Sequence, residues 1–255
     1  MIKIHFTFDK TNKSQILKKK FLKKYKNYSP AFADFIVVGG GDGYMLNVLR
    51  KHLKHNKPFY GINCGTFGFL MNKYNNIEIE KKILSSKKTI INPLEIVIKK
   101  KKIIAINELS LFRQSRQTTL LNLSVGKKII IKRLVGDGVL VSTPAGSTAY
   151  NLSVNGPILS LDSEKLAITP ISPFRPRRWK GKIISNKLII KIKNLDYKKR
   201  PVAAVADNIE FRSIKSLTIK TNKKLKIALL HDKNRSLTKK IRFEQLKKNN
   251  NIVFR

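Results

Sequence analysis

Asp42 is the one carboxylate in a run of glycines, Gly39-Gly40-Gly41-Asp42-Gly43. The apolar residues 35–38 precede the run, and Met45, Leu46, Val48, Leu49 and Leu53 follow at helical spacing. A buried strand, a glycine turn and a helix start are therefore expected in that order. Glycines let a backbone approach a ligand closely or reach positive φ. A helix start offers free N–H groups and a positive dipole end, which suit phosphate. No Gly-Lys-Ser/Thr follows, so this is not a Walker A loop, and the third glycine of the dinucleotide fingerprint is missing. Asp42 suits a helix N-cap. Beside a phosphate it could instead accept a proton from an attacking hydroxyl or help hold a metal.

Three further stretches carry polar or small residues where chemistry could occur. Gly61-Ile62-Asn63-Cys64-Gly65-Thr66-Phe67-Gly68-Phe69-Leu70 follows the next strand and should share a sheet edge with the first loop. Phe69 could pack on a base or nicotinamide ring, or Phe67 and Phe69 could fill the core; Cys64 reads as a small buried residue. Asn107-Glu108 interrupts the apolar run KIIAINELSLF. The pair could accept hydrogen bonds from ribose hydroxyls and an adenine amino group, or mark a strand end or bulge turned to water. Residues 136–153 run from a strand, VLVST, into a Pro-Ala-Gly turn and small residues leading to Tyr150. That composition suits a ligand wall with one aromatic face.

The elements that must position these residues change character near Asn92-Pro93. Before it, residues 1–8, 35–38 and 58–64 read as strands. Residues 10–26, with Ile16, Leu17, Phe21 and Leu22, and residues 79–84 read as helices, so an open α/β sheet is expected. From Leu94 to about Leu230 the chain is short β-like runs between turns, which predicts a sandwich or packed antiparallel sheets. The lysines at 99–102 read as a hairpin turn, and residues 236–248 as a closing helix. The expected division is 1–92 (α/β), 93–232 (β-rich) and 233–255, a segment packing back on the first domain.

Composition narrows the classes. The 255 residues are 42% hydrophobic, enough for a sizeable core. One cysteine excludes a disulfide framework and a cysteine-based zinc cluster, and it fits the reducing cytoplasm. No apolar run approaches the ~18 residues of a membrane span. The formal net charge is +39, which raises nucleic acid as a partner. The 42 Lys outnumber the 12 Arg and are spread along the chain. Specific phosphate and base contacts favour Arg, so solvated lysines from compositional drift are the preferred reading. The field would still assist a polyanionic small molecule.

With these pieces in order, the sequence resembles the NAD kinase family in its short bacterial form, within the diacylglycerol/NAD kinase superfamily. The resemblance rests on Gly40-Gly41-Asp42-Gly43, Asn107-Glu108 and the Thr143–Tyr150 stretch TPAGSTAY, with support from residues 111–117, 155–159 and 168–179. It implies a Rossmann-like open parallel sheet in an α/β N-terminal domain, a β-rich, sandwich-like C-terminal domain, and homodimers or homotetramers. It implies transfer of the γ-phosphate of ATP, carried with Mg²⁺ or another divalent cation, to the adenosine-ribose 2′-hydroxyl of NAD. Asp42 would be the general base and Gly43 would line the same pocket. Asn107 and Glu108 would bind the adenosine, and Asp137 the nicotinamide-side carboxamide, often of a neighbouring subunit. Ala145, Thr148, Ala149, Tyr150, Asn151, Leu152 and Ser153 would surround the adenine and ribose. No dedicated metal residues are implied, and neither a specific nucleic acid nor a membrane is an expected partner. Departures from the family pattern are Ala145 in place of a hydroxyl residue, Val135 in place of a basic one, and Val205-Ala206-Asp207-Asn208 in place of a Ser-x-Asp-Gly turn. The alternatives are a lipid kinase sharing the glycine loop, and a basic nucleic-acid-binding protein.

Overall fold

A computed structural model describes residues 2–65, 68–75 and 78–233. The helix expected over 236–248, and all but the start of the segment 233–255, lie outside the described residues. The chain divides into two compact units, one formed by residues up to Ile91 and again from Lys226, the other by Asn92–Leu225.

The first unit begins with β1 (Ile4–Phe8), α1 (Asn12–Lys24), β2 (Phe35–Gly40), α2 (Asp42–His52) and β3 (Phe59–Asn63). The short β4 (Asn72–Lys73), α3 (Ile79–Ser85) and β5 (Lys87–Ile91) follow. β1, β2 and β3 pair in parallel, and β2 is buried from Ile36 to Gly40. That burial on both faces explains its unbroken apolar run. On α1, Leu17 and Phe21 lie one turn apart and are buried. Ile16 and Leu22 point outward at 69% and 39% exposure, so only half of the apolar residues read from the sequence serve the core. Leu17 and Phe21 join Ile4, Phe6, Val37, Tyr60, Ile62, Ile79 and Ile83 in one cluster.

The second unit is two antiparallel sheets. Its strands are β6 (Leu94–Ile98), β7 (Lys101–Ala105), β8 (Glu108–Arg113), β9 (Thr119–Val125), β10 (Lys128–Gly136) and β11 (Gly138–Ser142). After the one-turn α4 (Tyr150–Ser153) come β12 (Lys165–Ile171), β13 (Lys182–Ser185), β14 (Ile190–Asn194), β15 (Val202–Ala206), β16 (Ile209–Phe211) and β17 (Ser216–Thr221). One sheet has the order β10-β9-β14-β17-β6-β7, the other β13-β12-β11-β8-β15-β16. Alternate residues such as Leu121, Leu123, Ile190 and Ile192 of the first sheet meet Leu109, Leu111, Val139 and Val141 of the second in one core. The expected sandwich is present. Lys99 and Lys100 form the two-residue turn between β6 and β7, with φ of 48° and 67°. Positive φ at both positions matches the twist a tight hairpin needs.

The run KIIAINELSLF is two strands with the Asn-Glu pair at the break: β7 ends at Ala105 in one sheet and β8 starts at Glu108 in the other. The chain changes sheets at Ile106-Asn107. The run at 225–231 does not belong with the β-rich part. Its strand, β18 (Ile227–His231), lies between β3 and β5 in the sheet of the first unit, parallel to β3 and antiparallel to β5. An apolar run carries no mark of which sheet it will join.

Candidate functional site

In the first unit, Gly41 is the N-cap of α2 and Asp42 its first residue. The cap makes no side-chain hydrogen bond, so Asp42 is not an N-cap. Its carboxylate reaches the second glycine loop instead, accepting the Phe69 amide at 2.7 Å on Oδ2 and the Leu70 amide at 3.0 Å on Oδ1. A further bond, from the Cys64 amide to the Gly40 carbonyl at 2.9 Å, joins the same two loops. They share an edge of the sheet, as expected.

The glycines of the first loop do not serve positive φ; Gly41 has φ −105° and ψ 178°, open to any residue. Their value is space. A Cβ built on Gly41 or Gly43 meets no atom within 4 Å, whereas one on Gly40 would lie 2.8 Å from the Asp9 carboxylate. Gly41 and Gly43 are thus not required by packing, and both flank Asp42. Phe69 is half-buried and so is Cys64, whose thiol is pushed up by burial. Residues 66–67, including Phe67, lie outside the described residues.

In the second unit, Asn107 and Glu108 sit where the chain passes between sheets, and Asp207 holds them there. Asp207 adopts φ 52° in the two-residue turn between β15 and β16. Its carboxylate accepts the amides of Ile106 at 2.8 Å, Asn107 at 2.8 Å and Glu108 at 3.2 Å. On the other side the Thr143 amide donates to the Asn107 carbonyl at 2.9 Å. The Thr143 hydroxyl reaches the Ile106 and Asn107 carbonyls at 2.8 and 3.0 Å. Gly146 packs so closely that an added Cβ would lie 2.2 Å from the Asn107 carbonyl oxygen. The Asn-Glu pair and the TPAG turn are therefore one construction.

This clamp satisfies the backbone and leaves the side chains. Asn107 and Glu108 are 8% and 9% exposed, so they are not turned to water. Asn107 Oδ1 and Glu108 Oε2 are buried with no hydrogen-bond partner among the described residues. Burial, with the Asp207 charge adding to it, pushes the Glu108 carboxyl up to about 8. Two adjacent orphaned acceptors are unusual, because such atoms normally find a donor.

The remaining candidates divide into those near this pair and those that build it. Tyr150 is half-buried, its ring centroid 5.7 Å from that of Phe112. Burial raises its phenol, with smaller contributions from the Asp137 and Glu108 charges. Asp137 pairs with Arg113 at 2.6 Å. Arg113 is thereby committed, and Arg116 and Arg133 are exposed. Ala145 and Thr148 are buried, Ala149 and Leu152 half-buried, and Ser153 exposed. Asn151 faces inward at 0% exposure. Its amide donates to the Ser147 and Pro157 carbonyls and its oxygen accepts from Thr169 at 2.7 Å. It shapes the turn, and its side chain is fully used within the protein.

Asp9 and Thr143 were given no role by sequence reasoning. Thr143 was visible as a hydroxyl within the motif; Asp9 offered no signal beyond its place after the first strand. Among the described residues, no three His, Cys, Asp or Glu side chains gather where they could hold a metal ion. No helix among them is long and apolar enough to cross a membrane.

Comparison with known proteins agrees over most of the chain. Residues 3–84 match the ATP-NAD kinase N-terminal domain family and residues 106–223 the ATP-NAD kinase C-terminal domain family. An NAD kinase from Brucella suis biovar 1 is 42% identical over 249 residues, covering 96% of this chain and 97% of that protein. An NAD kinase from Zymomonas mobilis is 45% identical over 244 residues, covering 93% and 95%. Among solved structures, an NAD kinase from Archaeoglobus fulgidus in complex with ATP superposes with a TM-score of 0.77 at 24% identity, covering 94% of this chain and 99% of that one. A yeast NADH kinase complexed with NADH gives 0.74 at 21% identity, covering 100% and 89%.

Proposed function

We infer the reaction from one premise: the chain belongs to the ATP-NAD kinase family. It is an NAD kinase, transferring the γ-phosphate of ATP to the 2′-hydroxyl of the adenosine ribose of NAD to give NADP. The observation that carries the substrate reading is the pair of buried acceptors, Asn107 Oδ1 and Glu108 Oε2. An adenosine brings what they lack: an exocyclic amine and ribose hydroxyls.

Asp42 acts as the general base. Two backbone amides fix the plane of its carboxylate, so it can meet a hydroxyl in one geometry. The ribose oxygen attacks the γ-phosphorus, its proton passes to Asp42, and ADP leaves. The transition state is loose, so alignment and charge neutralisation decide the rate. The open space at Gly41 and Gly43, at the start of α2, supports a phosphate lying against the backbone there. Mg²⁺ arrives on ATP, with phosphate and water as most of its ligands. Among the described residues, no three His, Cys, Asp or Glu side chains gather to hold it.

Ala145, Thr148, Ala149 and Tyr150 line the adenosine, with Leu152 and Ser153 at the margin and Asn151 behind them. Asp137, oriented by Arg113, takes the nicotinamide carboxamide of NAD on a second copy, within a dimer or tetramer in the cytoplasm. The lipid-kinase alternative is not favoured, because both family matches are to NAD kinases and a lipid leaves the Asn107 and Glu108 oxygens without donors. Binding to nucleic acid as the main role leaves the same atoms unexplained.

The test is direct. Purified protein incubated with ATP, Mg²⁺ and NAD should form NADP, detected with an NADP-specific dehydrogenase. No NADP, with phosphorylation of diacylglycerol instead, would overturn the assignment.

A further inference from the structure

We propose that Asp9 is a positioning residue for the glycine loop, its carboxylate fixing the Gly40-Gly41 backbone from which Asp42 projects; this rests on the reading of Asp42 as the base. Asp9 follows β1 at the carboxyl end of the parallel strands. Its amide donates to the Gly39 carbonyl at 3.0 Å, which carries the β1–β2 ladder up to the loop. One carboxylate oxygen accepts the Thr11 amide at 3.0 Å and the Thr11 hydroxyl at 2.6 Å. The local chain therefore sets the side chain's direction before any ligand binds.

The other oxygen is aimed at the loop. It lies 2.8 Å from the place a Cβ on Gly40 would take, with the Tyr44 ring at 3.0 Å from the same point. Gly40 is glycine because Asp9 and Tyr44 occupy the space of its side chain. Burial alone would push the Asp9 carboxyl up. Hydrogen bonds from Ser14, Thr11 and the Gly41 amide outweigh it and hold the group below the usual carboxylate range. Ser14 is fully buried, so this support is not exchanged for water.

The result is an ionised carboxylate against the N-cap of α2, contributed from outside that helix. A helix N-terminus favours such a charge. Asp9 packs its carboxylate against Gly40, and Asp42, two residues on, turns its own carboxylate to Phe69 and Leu70. Without Asp9, the glycine loop that leads to the base loses a restraint, and a shift of about 1 Å in a reacting group can cost on the order of 10²-fold in rate.

The role requires both the shape of the side chain and its two accepting oxygens. Asp9→Asn keeps the shape and turns one of those oxygens into a donor, so it should lower kcat less than Asp9→Ala does. Asp9→Ala removes the contact and Asp9→Glu drives it into Gly40. Both should lower kcat at least ~10-fold with KM for NAD changed less than ~3-fold. Gly40→Ala should be damaging alone and less so combined with Asp9→Ala, a coupling that a bystander residue would not show. Independently of activity, hydrogen exchange at the Gly41 amide, followed by NMR, should speed up in Asp9→Ala and Asp9→Glu. The proposal is overturned if Gly41 exchange is unchanged in both variants, or if Asp9→Ala and Asp9→Glu both keep full kcat. Where Asp9→Ala fails to fold, Asp9→Glu and Asp9→Asn decide. Were the unsubstituted chain to make no NADP, the reaction would be wrong, and Gly41 exchange alone would still judge the placement of Asp9.

Discussion

At the scale of single residues, Glu108 links the substrate site to pH. Its folded carboxyl sits near 8 against an ordinary 4.5, so between those values the folded chain holds a proton that the unfolded chain gives up. Stability contributed by this group is complete below about 4.5 and is lost as pH rises through about 8. Glu108→Gln cannot titrate, so its stability should fall less than that of the unsubstituted protein over that window, measured by urea unfolding at several pH values. Ribose hydroxyls donate best to the ionised form, so NAD should bind more tightly as pH rises toward 8, with proton release seen by calorimetry. Glu108→Gln should flatten that dependence. Asp42→Ala is expected to lower kcat at least ~10²-fold while the chain stays folded, since proton transfer by a placed base is worth about that much. Near-normal turnover would remove Asp42 from the role.

At the scale of elements, glycines at two loops do opposite things. Gly41→Ala and Gly43→Ala should leave the melting temperature almost unchanged, because their methyl groups meet nothing, yet impair phosphate binding and raise KM for ATP. Gly146→Ala drives a methyl into the Asn107 carbonyl and should cost at least ~2 kcal/mol by thermal unfolding. The strand, glycine turn and helix around Asp42 were legible because each signal is local: an apolar run, φ/ψ-permissive residues, a 3.6-residue period. The pairing of Asp42 with the Phe69 and Leu70 amides was not legible, since 27 and 28 residues separate them. Nor was the clamp of Asp207 on Asn107-Glu108, made across about 100 residues. Sequence marked Asn107-Glu108 as an interruption of the apolar run KIIAINELSLF, a strand end or bulge among the readings, without showing that the two halves join different sheets. That change of sheet is set by partners far along the chain, and the pair lies buried beside it.

At the scale of the whole molecule, the second unit is continuous and the first is not. Residues 92–225 contain every strand of both antiparallel sheets and should fold cooperatively when expressed alone, as judged by circular dichroism and protease resistance. Residues 1–91 lack β18, which separates β3 from β5, and should not reach a protease-resistant state. A stable 1–91 fragment would show that β18 is dispensable to that sheet. The insertion also imposes a timetable on synthesis. β3 and β5 leave the ribosome early, then wait for β18 while residues 92–225 are made, roughly ten seconds at common elongation rates. Throughout that interval each presents an unpaired edge that a neighbouring nascent chain could extend. Chaperones that guard emerging polypeptides would meet this one with its later half already closed and its earlier half still short of a strand.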